Sequence, residues 1–118
     1  MQTVRTTIKR EGFHFWPDAP DEVAFLRATH RHLFHITVEV EVDHGNRDVE
    51  FFILQRTVAS MLPLLDATWE VFDSKGGGPS SCEKMAEAIA RFLVGKQYNV
   101  VMVEVSEDGE SAGRWYCE

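Results

Sequence analysis

Thr29-His30-Arg31-His32-Leu33-Phe34-His35-Ile36-Thr37-Val38-Glu39-Val40-Glu41-Val42 places two histidines two residues apart at the start of a long β-pattern. Side chains alternate across a strand, so His30 and His32 share one face and His35 takes the other. Two imidazoles on one rigid strand need only a third ligand from a neighbouring element to make an open metal site, and zinc is the ion such a set commonly holds. His14, sixteen residues before His30 in another strand-like segment, is the candidate third ligand. Without such a partner the three histidines read as ordinary core or surface residues. His44 falls in a turn and is not a favoured ligand.

Outward from this stretch, residues 3–15 are rich in Thr, Val, Ile and Phe and predict a first strand, ended by Trp16-Pro17-Asp18-Ala19-Pro20. Residues 21–27 read as a short loop or single helical turn before a second strand over 29–43. His44-Gly45-Asn46-Arg47 has the Gly and Asn that suit positive φ, so a hairpin or strand bend is expected before Asp48-Val49-Glu50-Phe51. Phe52, Ile53, Val58, Met61, Leu62 and Leu65 recur at helical spacing, predicting an amphipathic helix over 52–65 that Pro63 kinks or ends.

Residues 73–81 form a Gly-rich loop without the G-x-x-x-x-G-K-[S/T] pattern of a phosphate-binding loop. A second helix is expected over 82–94, with Ser80 or Ser81 as N-cap and Glu83 complementing the helix dipole. Residues 99–106 alternate as a strand, 107–110 as a turn and 112–117 as a last strand. The expected fold is α+β, in the order ββααββ, with two helices on one face of an antiparallel sheet, as a single domain over residues 1–118.

Composition narrows the function classes. At 118 residues, 44% hydrophobic and 26% charged, the chain has the make-up of an ordinary globular domain and no apolar run of membrane-spanning length. A net charge of −7 argues against nucleic acid as the main partner, because phosphate binding needs clustered Lys and Arg. Arg5, Lys9, Arg10, Arg27 and Arg31 could form a local patch for a small anion or simply a solvated face. Residues 1–12 do not resemble a secretory signal, and two cysteines make no disulfide framework, so a reduced, cytoplasmic chain is expected.

The element order, with an upstream His and an H-x-H on the second strand, resembles the 6-pyruvoyltetrahydropterin synthase and 6-carboxytetrahydropterin synthase family of the tunnelling fold (T-fold), over nearly the whole chain. Phe13-His14 and Thr29-His30-Arg31-His32-Leu33-Phe34 stand where that family carries its zinc-binding histidines, with Arg31 in place of a Gly. Val49-Glu50-Phe51-Phe52-Ile53-Leu54 is similar to the start of the family's first helix, with Glu50 for its Asp. Ser81-Cys82-Glu83-Lys84-Met85-Ala86 is similar to the start of the second. Val103-Glu104-Val105-Ser106-Glu107 matches the last long strand, whose terminal Glu holds the pterin ring.

The resemblance therefore implies Zn2+ on His14, His30 and His32, and a heterocycle anchored by Glu107 near Ser81 and Cys82. A carboxylate accepts paired N–H groups from a pterin or purine edge, which suits Glu107 to that role. From spacing alone, Glu107, Asp108 and Glu110 also read as residues that solvate a turn. The implied reaction is a lyase-type conversion of dihydroneopterin triphosphate on the way to 7-deazaguanine (the queuosine route) or tetrahydrobiopterin.

The implied subunit arrangement is a homo-oligomer, trimer or hexamer, that closes the open sheet edges into a barrel. It predicts a single species well above 13.5 kDa by light scattering.

Two positions depart from the pattern. Leu26 replaces the Cys that moves protons on the substrate, and Ala67, after Asp66, replaces the His of the relay; an alkyl group transfers no proton. Candidate replacements are Cys82, at a helix N-terminus where the dipole lowers a thiol pKa, and Asp66 as a base. The plainer alternatives are a small buried residue at the helix start for Cys82 and a solvated loop carboxylate for Asp66. Three functions remain open: a divergent zinc enzyme on a pterin-like or purine-like substrate, a T-fold module that binds such a heterocycle without turnover, and a structural oligomer.

Overall fold

The computed structural model describes residues 1–72 and 76–117. Two long strands, β1 (Gln2–His14) and β2 (His30–Val42), pair antiparallel along their full length. Between them the chain passes through a 3-10 turn at Asp21–Arg27, which Arg27 holds by donating to the Ala19 carbonyl (2.8 Å) and pairing with Asp21 (2.8 Å). Helices α1 (Phe51–Trp69) and α2 (Cys82–Gly95) follow, then β3 (Asn99–Glu107) and β4 (Ser111–Tyr116). The sheet runs β1-β2-β3-β4, all antiparallel, so the ββααββ order expected from the sequence is the observed one.

Alternation sorts the sheet. Phe34, Ile36, Val38 and Val40 on β2, with Val103 and Val105 on β3, are 0–1% exposed and meet the helices. From α2, Met85, Ile89 and Leu93 recur every four residues with Ala86 and Ala90 beside them, all fully buried. From α1 the stripe is Leu54, Val58, Met61, Leu62 and Trp69. Each large apolar side chain in this layer contributes roughly 1.5–3 kcal/mol through burial.

Helix α1 differs from its expected form. It begins at Phe51, where Glu50 caps it by accepting from the N–H groups of Phe52 (3.0 Å) and Ile53 (3.2 Å), and it runs through Pro63 to Trp69. Pro63 sits on the exposed face, where water can satisfy the carbonyl its missing N–H leaves free, and Leu62 and Trp69 on the buried face hold the helix together across it. The helix ends at Glu70 in the left-handed region (φ 57°), its N–H returning to the Asp66 carbonyl at 2.8 Å.

The loop after β2 leads directly to α1 with no further strand. Arg47, not Gly45 or Asn46, takes the positive φ (58°), and Asp48 closes the loop by accepting from the Asp43 N–H at 2.7 Å. The expected loop over 73–81 falls partly on 73–75, outside the described residues.

Two glycines allow the close approaches that set the site. A Cβ on Gly12 would lie 2.8 Å from the Phe34 ring and 2.9 Å from Val71. One on Gly113 of β4 would lie 2.7 Å from the backbone nitrogen of Glu83, so the bare glycine lets the first turn of α2 press onto the sheet beside the end of β3.

Candidate metal centre

The strand register assembles the cluster. His14 on β1 lies directly opposite His30 on β2, and Glu107 on β3 lies directly opposite Phe34, one same-face step beyond His32. His14, His30, His32 and Glu107 therefore share the helix-facing side of the sheet, at the end the apolar core does not reach. One ligand atom from each of the three histidines lies within 4.8 Å of the other two. Their rings pack edge to face at 4.5–5.2 Å, with Phe34 as the apolar floor at 5.3 Å from His14 and 5.8 Å from His32.

All three Nδ1 atoms meet oxygen. That of His14 is 3.1 Å from the Ser80 carbonyl, that of His30 is 2.9 Å from the Ala28 carbonyl, and that of His32 is 2.6 Å from the Asp108 carboxylate. Carbonyls and carboxylates only accept, so each Nδ1 donates and each Nε2 is left as the free lone pair or the site of a second proton. This is the outer-shell arrangement that fixes a histidine for metal ligation. His32 Nε2 is buried with no hydrogen-bond partner among the described residues, a costly state for an imidazole nitrogen that a cation would relieve. The donor set thus fits a metal ion of the imidazole-preferring kind.

Glu107 faces the same space. Its Oε1 lies 3.1 Å from His14 Nε2 and its Oε2 lies 3.6 Å from His32 Nε2. The hydrogen bond from His14 holds the Glu107 carboxyl below its usual range, against the opposing effect of burial. Burial pulls His14 down, but the Glu107 hydrogen bond, the Ser80 carbonyl and the charge on Glu107 together carry it above its ordinary value. When His14 carries its second proton it forms an ion pair with Glu107, and a metal bound at Nε2 would displace that proton.

Asp108, which the sequence offered only as a turn-solvating residue, is the part missed. It sits at positive φ (56°) beside Gly109 (76°) in a turn closed by Glu110 N–H on the Glu107 carbonyl at 3.0 Å. One carboxylate oxygen accepts from the Leu33 N–H at 2.7 Å and the other orients His32. The only available signal was its position next to Glu107.

The remaining expected site residues divide. Ser81 is the N-cap of α2, accepting from the Lys84 N–H at 3.2 Å, and it lines the cleft beside the cluster. Cys82 is buried next to Glu107, its Sγ donating to Oε1 at 3.6 Å. The expectation of a lowered thiol pKa is corrected: burial first, then the charge and hydrogen bond of Glu107 and the charge of Glu83, push the thiol up. Asp66 is 3% exposed and accepts from the N–H groups of Val71 (2.8 Å) and Phe72 (2.9 Å). It shapes the turn after α1, is not among the residues lining the cleft, and is not a solvated loop carboxylate.

The cleft itself encloses about 640 Å3, within the range of small-molecule sites. Phe15, Trp16, Pro17 and Leu26 form an apolar wall, tied together by the Trp16 N–H on the Leu26 carbonyl at 2.7 Å. Ser81 to Lys84 at the start of α2 also line the cleft, as do His14, His30 and Glu107.

No protein-family model matches the sequence, and no curated protein matches it. The fold is shared with the crystal structure of an uncharacterized protein from Wolinella succinogenes, at 13% sequence identity and a TM-score of 0.67, with 100% of each chain covered. At that identity the likeness concerns the fold alone.

Proposed function

We propose that this chain is a divergent T-fold protein similar to 6-carboxytetrahydropterin synthase, which holds zinc on His14, His30 and His32 and takes a flat pterin-like or purine-like heterocycle into the adjoining cleft. The observation that carries this reading is the convergence of three histidines whose Nδ1 atoms are each held by an oxygen acceptor while His32 Nε2 lies buried and unpartnered. A zinc ion there supplies Lewis acidity toward a substrate carbonyl or hydroxyl. The apolar wall of Phe15, Trp16 and Leu26 suits the face of a planar ring, and Ser81 and Glu107 supply polar groups for its edge.

Lyase-type chemistry in this site would rely on the Cys82 and Glu107 pair for protons, with Cys82 as the donor. A second reading, binding without turnover, is favoured by Leu26 in the cleft wall and by a thiol held protonated, since neither is a base. β1 and β4 are the edge strands of the sheet, and a trimer or hexamer would cover them.

The test is the metal content of untagged protein prepared without chelator, beside His30→Ala/His32→Ala. About one zinc per chain, lost in the variant, is the outcome expected of a three-histidine site. No zinc as purified and none taken up on addition would end this reading. With zinc present, titration with pterins and purines, followed by product analysis, separates the lyase from the binding module.

A further inference from the structure

We propose that Glu107 is a fourth protein ligand to the metal, so that the resting centre is a closed His3Glu set and not an open three-histidine site. The inference rests on the reading of a metal on His14, His30 and His32 and adds to it what fills the remaining position.

Three observations carry it. First, each Glu107 oxygen faces a different histidine Nε2, at 3.1 Å from His14 and 3.6 Å from His32. Metal–nitrogen and metal–oxygen bonds of about 2.0–2.1 Å in a tetrahedron place neighbouring ligand atoms roughly 3.3 Å apart. The two separations bracket that value, so the carboxylate already sits at ligand distance from two of the three nitrogens.

Second, the contact with His32 requires positive charge between its two atoms. The Nδ1–H of His32 is spent on Asp108 at 2.6 Å, which leaves a buried Nε2 without a hydrogen-bond partner among the described residues, facing a carboxylate. Two electron-rich atoms held that way repel each other unless a cation or a proton lies between them.

Third, a ring anchor and a metal-facing carboxylate make different demands. A carboxylate that grips the far edge of a bicyclic heterocycle must stand a ring's length from the metal that polarises its substituent. Glu107 stands against the histidines instead, and Cys82 holds it there through Sγ–H on Oε1 at 3.6 Å.

Occupied by Glu107, the fourth position is not open to water, and a heterocycle or other ligand must displace the carboxylate to reach the metal. The displaced carboxylate would then be free to accept from the incoming N–H groups.

The test is cobalt(II) titration of the metal-free full chain, followed by visible absorption and by zinc competition. Wild type should give the intense bands of four-coordinate cobalt with no sulfur charge-transfer band. Glu107→Gln keeps shape but loses the anionic ligand; it should weaken binding at least about tenfold, as loss of a coordinating group requires when even outer-shell losses cost 10- to 100-fold, and should alter the bands. Glu107 is one-third accessible, so the variant is expected to fold, which circular dichroism checks.

Wild-type metal affinity and bands retained in Glu107→Gln would overturn the proposal while leaving the three-histidine reading intact. A sulfur charge-transfer band that vanishes in Cys82→Ala would overturn it by giving the fourth position to Cys82. No cobalt or zinc uptake by wild type would overturn both readings together.

Discussion

His30 and His32 lie on the same face of β2 as Phe34, Ile36, Val38 and Val40, yet the two ends of that face are built on opposite principles. At the apolar end every side chain is 0–1% exposed and each is held by many neighbours from α1 and α2, so its position is over-determined by packing. At the histidine end the first turn of α2 meets the sheet through Cys82, beside Glu107. Each ring is held by a hydrogen bond from its Nδ1 to an oxygen on a different segment, and His14 by a second one from Nε2 to Glu107. The core therefore supplies rigidity, and the cluster borrows it through Phe34, whose ring packs against both His14 and His32. Such a division leaves the polar end free to carry groups that cost stability on their own.

Phe34→Ala should break that dependence most severely. Removing a fully buried ring costs about 3–5 kcal/mol, read in denaturant melts. Because the same ring floors the cluster, zinc affinity should fall with it. The opposite experiment is asymmetric: His30→Ala/His32→Ala should abolish metal binding and shift metal-free stability by no more than about 1 kcal/mol. Equal stability losses at both ends would show that the histidines are core residues in their own right, and the comparison would fail.

The two ends also differ in how far the sequence discloses them. Alternation in β2 and four-residue spacing in α2 are short-range patterns, and they place the strands and α2 within a residue or two of their observed ends. The histidine trio is legible for the same reason, since His30 and His32 share a face by parity and His14 needs only antiparallel register to meet them.

What orients the trio is not legible in this way. Ser80 is 66 residues from His14 in the chain, and Asp108 is 76 from His32. One contributes a backbone carbonyl that no residue type announces; the other looks like any turn aspartate. The misreadings in α1 and at Cys82 share a cause. Local rules for Pro63 and for a helix N-terminus were set aside by tertiary context, an apolar stripe in one case and a buried neighbouring carboxylate in the other.

Asp108→Asn sharpens the distinction at intermediate size. The residue is exposed, so the fold should be untouched, but the amide places a weaker acceptor, or a donor, against His32 Nδ1. Loss of an outer-shell carboxylate on a ligating histidine lowers metal affinity by about 10- to 100-fold. Zinc competition in the variant reads it. Unchanged affinity would mean that His32 is positioned by Phe34 and its strand alone.

The smallest expected effect is in pH, where the contribution of the His14–Glu107 pair and the stabilisation expected of zinc should change in opposite directions. His14 has a folded value above its ordinary 6.5, so its stabilisation is complete below 6.5 and is lost as pH rises through the folded value. Glu107 has a folded value below its ordinary 4.5, so its contribution is complete above 4.5 and is lost as pH falls through the folded value. The pair therefore supports the metal-free protein most between 4.5 and 6.5, and less on the alkaline side. Zinc requires His14 without its second proton, so the stabilisation zinc adds should increase over the range where the ion pair fades. Thermal melts with chelator and with excess zinc, from about pH 5 to about pH 8, should show the gap between the two curves widening as pH rises. A gap that stays constant would mean that zinc displaces no proton from His14, and the polar end of the sheet would then be two separate features, an ion pair and a metal site, in place of one.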